Sequence, residues 1–167
     1  MQLWRPPLQP GEWRTLGLFV ADDRDQLEAV LASMPLRVWR TDDVLSLGQH
    51  PNDPGPVSRS EGGPEFLTVF TIAIPPDAPR GEVDDTLARE AQAARALAED
   101  GHLVRLWKLP PGSDKPSAIG LWRAASAADL QAIIEALPLP GWMSVETTPL
   151  APHPNDPVAV AAAAVAN

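Results

Sequence analysis

Gly101-His-Leu-Val-Arg-Leu-Trp-Lys108 is the stretch that decides the fold, because a glycine that can end a helix leads directly into an alternating strand. Pro110 and Pro111 follow and predict the end of that strand. The Leu106-Trp107 pair within it recurs 103 residues earlier as Leu3-Trp4. The stretch therefore predicts a helix–strand junction and, through its second copy, a repeated unit.

The repeat extends over much of the chain. Residues 3–54 align with residues 106–157 without a gap, and 17 of the 52 aligned positions are identical. His50-Pro-Asn-Asp-Pro54 recurs unchanged as His153-Pro-Asn-Asp-Pro157. The repeated prolines also account for part of the high proline content, 20 residues of 167. The pattern predicts a duplication, with short elements punctuated by proline.

The duplication is incomplete, because residues 65–105 have no counterpart ahead of Met1. We predict a partial repeat over residues 1–54 and a linker rich in Pro, Gly and Ser over residues 55–64. A complete unit follows over residues 65–157, and residues 158–167 form an Ala/Val tail.

The complete unit alternates strand and helix signals. Its order is β-α-β-β-α-β, the ferredoxin-like arrangement, and the partial repeat supplies β-β-α-β. The fold class is therefore α+β. The predicted elements are strands over 65–74, 103–109, 117–124 and 143–148, the last ending before Pro149, and helices over 83–98 and 126–137.

Charge and composition narrow the function classes. Thirteen Lys and Arg against 22 Asp and Glu give a net charge of −9, which argues against nucleic acid and anionic membranes as partners. The chain has no cysteine, which excludes thiolate catalysis and disulfides, and its three dispersed histidines do not predict a metal site. It shows no signal peptide, and its tail is too short to span a bilayer. We expect a cytoplasmic protein with a small-molecule substrate.

One carboxylate lies within the apolar stripe predicted for the first helix of the complete unit. Glu90 follows Leu87 by three residues and precedes Ala94 by four, so all three share a face. A carboxylate in apolar surroundings has a raised pKa, which suits a proton carrier. The alternative is a glutamate at the edge of the stripe that reaches solvent. We predict Glu90 as the catalytic residue.

Three further residues are candidate substrate ligands. Arg105 and Trp107 share one face of a strand, where the guanidinium could hold a carboxylate and the indole could wall a pocket. The alternatives are a surface ion pair for Arg105 and an ordinary core indole for Trp107, and for Trp107 taken alone the core role is favoured. His153 could carry a proton or reach a neighbouring subunit's site, whereas Asn and Asp between prolines are also typical of a turn.

Four stretches of residues 66–157 together resemble a known family. They are Ala88-Arg89-Glu90, Gly101 to Lys108, Leu137-Pro-Leu-Pro140, and Val145 to Leu150 followed by His153-Pro154. This combination resembles the muconolactone Δ-isomerase family, and residues 3–54 resemble the last part of its members. Two positions differ from the family's common pattern: Ala91 stands where a basic residue often follows the glutamate, and Ser117 where asparagine is common.

The resemblance implies a dimeric α+β barrel and a cofactor-free 1,3-proton shift on muconolactone during catechol breakdown. It implies Glu90 as the acid/base group, with no cofactor or metal. We expect a homo-oligomer or a pseudo-dimer within one chain. Two alternatives stay open: a non-catalytic module of the same barrel for ligand binding or assembly, and a different small-molecule reaction in that barrel.

Overall fold

The chain forms two units in a computed structural model that describes residues 1–35, 37–56, 63–111, 116–139 and 141–157. The first unit comprises residues 1–45 with the residues from 151 onward, and the second comprises Ser46–Leu150. Most of the predicted linker and the whole predicted tail fall outside the described residues. No helix in the described part of the chain is long and apolar enough to cross a membrane.

The second unit is an antiparallel sheet with two helices, an α+β arrangement. Numbered in chain order, its elements are β3 Gly48–Gln49, β4 Glu65–Ile72, α2 Arg80–Glu99, β5 Leu103–Lys108, β6 Ala118–Arg123, α3 Ala127–Glu135 and β7 Met143–Pro152, whose last two residues belong to the first unit. Their strand order is β7-β4-β6-β5-β3, and the four long strands follow the ferredoxin-like order.

Local signals set the helix ends of this unit. The Ser126 side chain accepts a hydrogen bond from the Asp129 amide at 3.2 Å, so it caps α3 at its N-terminus. Gly101 adopts φ +78°, the left-handed conformation that glycine accepts without strain, and β5 begins two residues later. The predicted helix–strand junction is therefore confirmed.

The core of the unit lies where the helices pack on the sheet. One cluster joins the helices to the sheet, and its helix residues are Leu130 and Ile134 of α3 and Ala94 of α2. Its sheet residues are Phe66, Phe70, Leu103, Leu106, Ala118 and Trp122. Trp122 donates its Nε1–H to the buried Thr68 Oγ1 at 2.8 Å, so the indole is satisfied inside the core.

The predicted end of the last strand is wrong, because β7 runs through Pro149 to Pro152. Pro149 pairs with Phe66 of β4, and the pairing of β7 with the strand Gln2–Arg5 is confined to residues 151–152. Proline is tolerated at a position where one side of the strand is unpaired, since the hydrogen bond that it cannot donate is not needed there.

The first unit repeats the register of the second. It contains β1 Gln2–Arg5, β2 Leu16–Leu18, α1 Arg24–Ser33 and a short 3₁₀ turn at Arg37–Trp39. Leu3 pairs with Gly17 in β1–β2, and the equivalent Leu106 pairs with Gly120 in β5–β6. Asp23 caps α1 as Ser126 caps α3. Equivalent residues thus form equivalent elements.

The ends of the two repeats are exchanged between the units. Gly48 and Gln49, near the end of the first repeat, pair with Lys108 and Trp107 of β5. The equivalent pair near the end of the second repeat, 151–152, pairs with β1. Each repeat's final segment therefore lies in the unit that contains the other repeat's first strand.

Candidate active site

Glu90 lies on the face of α2 that is turned toward the protein. The residue is half-buried, and its Oε2 atom is inaccessible to solvent and makes no hydrogen bond within the described part of the structure. Burial raises the pKa of the Glu90 carboxyl above its ordinary value. The carboxyl is therefore more readily protonated than a surface glutamate, and its Oε2 atom has no partner among the described residues that would fix its charge.

The buried face of α2 differs from the predicted apolar stripe. Leu87 was expected in the stripe, but it is 43% exposed. The buried positions are Thr86 and Ala94, with Glu90 between them at intervals of four residues. The phase of the buried face is set by packing on the sheet, which places Glu90 in the middle of the stripe rather than at its edge.

A cleft of about 230 Å³ opens beside this face, between α2 and the segment that joins α3 to β7. Thr86 lines it and lies one helical turn before Glu90. The remaining lining residues are Glu82, Arg89, Pro138, Leu139, Gly141 and Trp142. A more open depression of about 600 Å³ on the outer side of α2 also includes Arg89, but contains no unpaired buried polar atom in the described residues.

Arg105 is engaged by a residue that the sequence analysis did not select. Its Nε donates to Asp53 Oδ1 at 3.1 Å and its Nη2 donates to Asp53 Oδ2 at 3.0 Å. The Leu106 amide donates to Asp53 Oδ1 at 2.9 Å. Burial raises the pKa of Asp53, but these hydrogen bonds and the Arg105 charge outweigh it and hold that pKa below its ordinary value.

Arg105 and Trp107 lie on the opposite face of the sheet from Glu90. Leu106 packs in the core cluster with Ala94 of α2, and successive side chains of a strand alternate between faces. The guanidinium of Arg105 stacks 5.0 Å from the centre of the Trp107 ring, which is itself buried. The structure thus brings Arg105 and Trp107 together but does not bring them to Glu90, and their substrate-binding roles stay predictions.

The two His-Pro-Asn-Asp-Pro stretches form the same turn. The Nδ1 of His50 accepts from the Asn52 amide at 3.1 Å, and the Nδ1 of His153 accepts from the Asn155 amide at 3.1 Å. His153 belongs to the first unit, where the turn ends in the buried Asp156, which accepts from the Leu3 amide at 3.3 Å. The turn geometry is the structural alternative foreseen for His153, and its role as a ligand stays a prediction.

Ser117, one of the positions that differ from the family pattern, has a structural contact. Its hydroxyl oxygen accepts from the Ile72 amide at 3.2 Å, next to the start of β6. Ala91, the other position, is half-buried on α2. Over the described residues, no group of three or more His, Asp or Glu side chains is placed to hold a metal ion.

Thr86 and Arg89 are functional candidates that the sequence analysis did not select, and Asp53 is a structural partner that it did not select. Asp53 could have been found because it recurs as Asp156 in the repeat, and Arg89 because it lies in the Ala88-Arg89-Glu90 stretch that resembles the family. Only its helical spacing from Glu90 pointed to Thr86, since the opposite cleft wall comes from a segment about 50 residues away in the chain.

The comparisons with known proteins agree on one family. The family model described as muconolactone delta-isomerase matches residues 1–53 and 65–156. Muconolactone Delta-isomerase 1 of Acinetobacter lwoffii is 32% identical over 90 residues, which cover 54% of this chain and 91% of the relative. Muconolactone Delta-isomerase of Rhodococcus opacus is 31% identical over 91 residues, covering 54% and 95%.

A crystal structure of muconolactone isomerase at 3.3 Å resolution also aligns, with a TM-score of 0.48 and 23% identity, covering 55% of this chain and 92% of that chain. The family model matches well over half of the residues, in two segments that together hold both repeats. The chain belongs to the muconolactone Δ-isomerase family.

Proposed function

We propose that this protein catalyses a cofactor-independent 1,3-proton shift on a small lactone carboxylate, as a muconolactone Δ-isomerase in the breakdown of aromatic compounds. The single observation that carries the proposal is the Glu90 carboxyl, whose Oε2 atom is buried and unpaired among the described residues and whose pKa is raised by burial. Relatives about 30% identical bear the name muconolactone Delta-isomerase.

The chemistry needs one group that takes a proton and returns it. In the proposed mechanism, the Glu90 carboxylate removes a proton from a ring carbon activated by the lactone carbonyl, and the electron pair of that C–H bond moves into the ring system. The same carboxyl then returns the proton to a ring carbon two bonds away, so the double bond shifts and no atom is gained or lost. A carboxyl with a raised pKa suits both steps, because its pKa approaches the working pH.

The two repeats contribute unequally in this proposal. We infer a partial tandem duplication with domains at residues 1–54 and 65–157, which is supported by the separate family matches at 1–53 and 65–156. Over the described residues, the first copy shows no helix equivalent to α2 and no counterpart of Glu90, so the proposed chemistry rests on the Glu90 site. We infer that the chain forms an internal pseudo-dimer or a homo-oligomer.

A non-catalytic binding module is the alternative, and it is favoured by the Arg105–Asp53 contact, which occupies the arginine predicted for the substrate. Purified protein incubated with muconolactone, followed by ultraviolet absorbance, separates the two. We expect loss of substrate at a rate proportional to protein concentration. No turnover by the wild-type protein, with substrate still bound, would establish the binding module instead.

A further inference from the structure

We propose that Arg89 binds the carboxylate of the substrate at the cleft beside Glu90, and so makes this site selective for small lactone acids over their neutral analogues. The inference deepens the proposed function and rests on it for the identity of the reaction. It assigns to Arg89 the role that the sequence analysis gave to Arg105.

The first step is the position of Arg89 on α2. Glu82, Thr86 and Arg89 are spaced by four and three residues, which places them on one helical face, and all three line the cleft. The Nη2 of Arg89 donates to Thr86 Oγ1 at 3.0 Å. This contact directs the guanidinium along the cleft wall and uses one of its several N–H donors, and a guanidinium matches a carboxylate through two parallel donors.

The second step is the charge and shape of the cleft. Among the described residues that line it, Arg89 is the only cation and Glu82 the only anion. Leu139 and Trp142 supply an apolar wall on the opposite side. A ligand with an apolar ring and one carboxylate matches this lining, provided that its charge lies at Arg89 and away from Glu82.

The third step is the elimination of Arg105 for this site. Asp53 holds the Arg105 guanidinium through two nitrogens, and Arg105 projects from the sheet face opposite the core cluster that includes Ala94 of α2. Arg89 lines the cleft together with the buried Thr86, which lies one helical turn before Glu90, whereas Glu90 itself is not among the lining residues. A substrate carboxylate held by Arg89 would place its ring within about one helical turn of the group proposed to move the proton.

The test measures binding apart from turnover. The probe is the saturated lactone acid, which has no double bond to shift, with its methyl ester as the neutral counterpart, and affinity is read by titration calorimetry. We expect Arg89→Gln to weaken binding of the acid about ten-fold, which is the loss of a charge-assisted hydrogen bond of about 1.4 kcal/mol, and to leave the ester unaffected. Arg89→Lys should restore part of the affinity.

Two variants on the same helix serve as controls. Arg95 is exposed, and within the described part of the chain it donates to the Ala91 carbonyl of its own helix, so Arg95→Gln should bind the acid as the wild type does. Glu82→Gln removes the anion from the cleft and should tighten binding of the acid by up to about five-fold, the scale of an exposed charge interaction. These two results would show that the cleft, rather than the overall charge, sets the affinity.

The outcomes separate this inference from the proposed function. The assignment of Arg89 is overturned if Arg89→Gln binds the acid as tightly as the wild type does, or if its affinity for the acid and for the ester falls by the same factor. Either result would overturn it even if the wild type isomerises muconolactone. If acid binding depends on Arg89 but the wild type shows no turnover, the assignment stands and the isomerase proposal fails.

Discussion

Asp53 and Glu90 are two partly buried carboxylates of the same unit, and they differ in their hydrogen bonds and in the direction of their pKa shifts. Asp53 accepts hydrogen bonds from the Nε and Nη2 atoms of Arg105 and from the Leu106 amide, and its pKa is held below the ordinary value. The Glu90 Oε2 atom has no such partner in the described structure, and burial alone raises the pKa.

The hydrogen bonds and pKa shifts distinguish a carboxylate that stabilises the fold from one whose properties suit proton transfer. A carboxylate whose charge is satisfied by an arginine and a backbone amide stabilises the fold and gives up its charge only in acid. An unpaired buried carboxylate costs folding free energy when it is charged, and such a cost is characteristic of functional groups. Asp53 holds the end of the first repeat on β5, whereas Glu90 is the carboxylate that we propose to move the proton.

The largest expected effect comes from removing the proton carrier. Glu90→Gln keeps the shape of the side chain but cannot accept a proton, so we expect kcat for muconolactone to fall about 10²- to 10⁴-fold, the usual contribution of a general acid–base group. Initial rates by ultraviolet absorbance measure it. Glu99→Gln, at an exposed acid near the end of the same helix, is the matched control and should keep wild-type kcat. A Glu90→Gln variant with unchanged kcat would remove Glu90 from the mechanism.

The next effect comes from breaking the Asp53–Arg105 pair. Asp53→Asn removes the charge and leaves Arg105 without its carboxylate, so we expect a loss of about 2 kcal/mol in the free energy of unfolding, measured with urea. Asp77→Asn, at an exposed position, should change it by less than about 0.5 kcal/mol. Equal stability of the Asp53 and Asp77 variants would mean that the contact does not hold the repeat end in place.

The smallest effect is the pH dependence, which has opposite signs at the two carboxylates. The raised pKa of Glu90 means that its contribution to stability is present below the unfolded value of about 4.3 and is lost as pH rises through the folded pKa. Glu90→Gln should therefore be more stable than wild type near pH 7, and the gap should close toward pH 4.

Asp53 contributes in the other direction. Its lowered pKa gives stability that is present above the unfolded value of about 3.9 and is lost as pH falls through the folded pKa. Asp53→Asn should be less stable than wild type near pH 7, and this deficit should shrink in acid. Urea midpoints at several pH values measure both gaps, and two gaps of the same sign near pH 7 would contradict the distinction between the carboxylates.

Local patterns in the sequence predicted the second unit well, because its strands alternate and its helix ends carry their own signals, such as Ser126 and Gly101. The burial of Glu90 also follows from helical spacing. Leu87 was misplaced because the phase of a helix's buried face depends on the sheet beneath it. The Asp53–Arg105 contact joins residues 52 apart through an exchange of repeat ends, which no local pattern encodes.

The most direct test of the central claim is a carbon-13 NMR titration of the two side-chain carboxyls, assigned with Glu90→Gln and Asp53→Asn. The account predicts that the Glu90 pKa lies above the ordinary glutamate value of about 4.3, while the Asp53 pKa lies below the ordinary aspartate value of about 3.9. A Glu90 carboxyl that titrates at or below its ordinary value would contradict the claim that this residue is held unpaired and ready to move a proton.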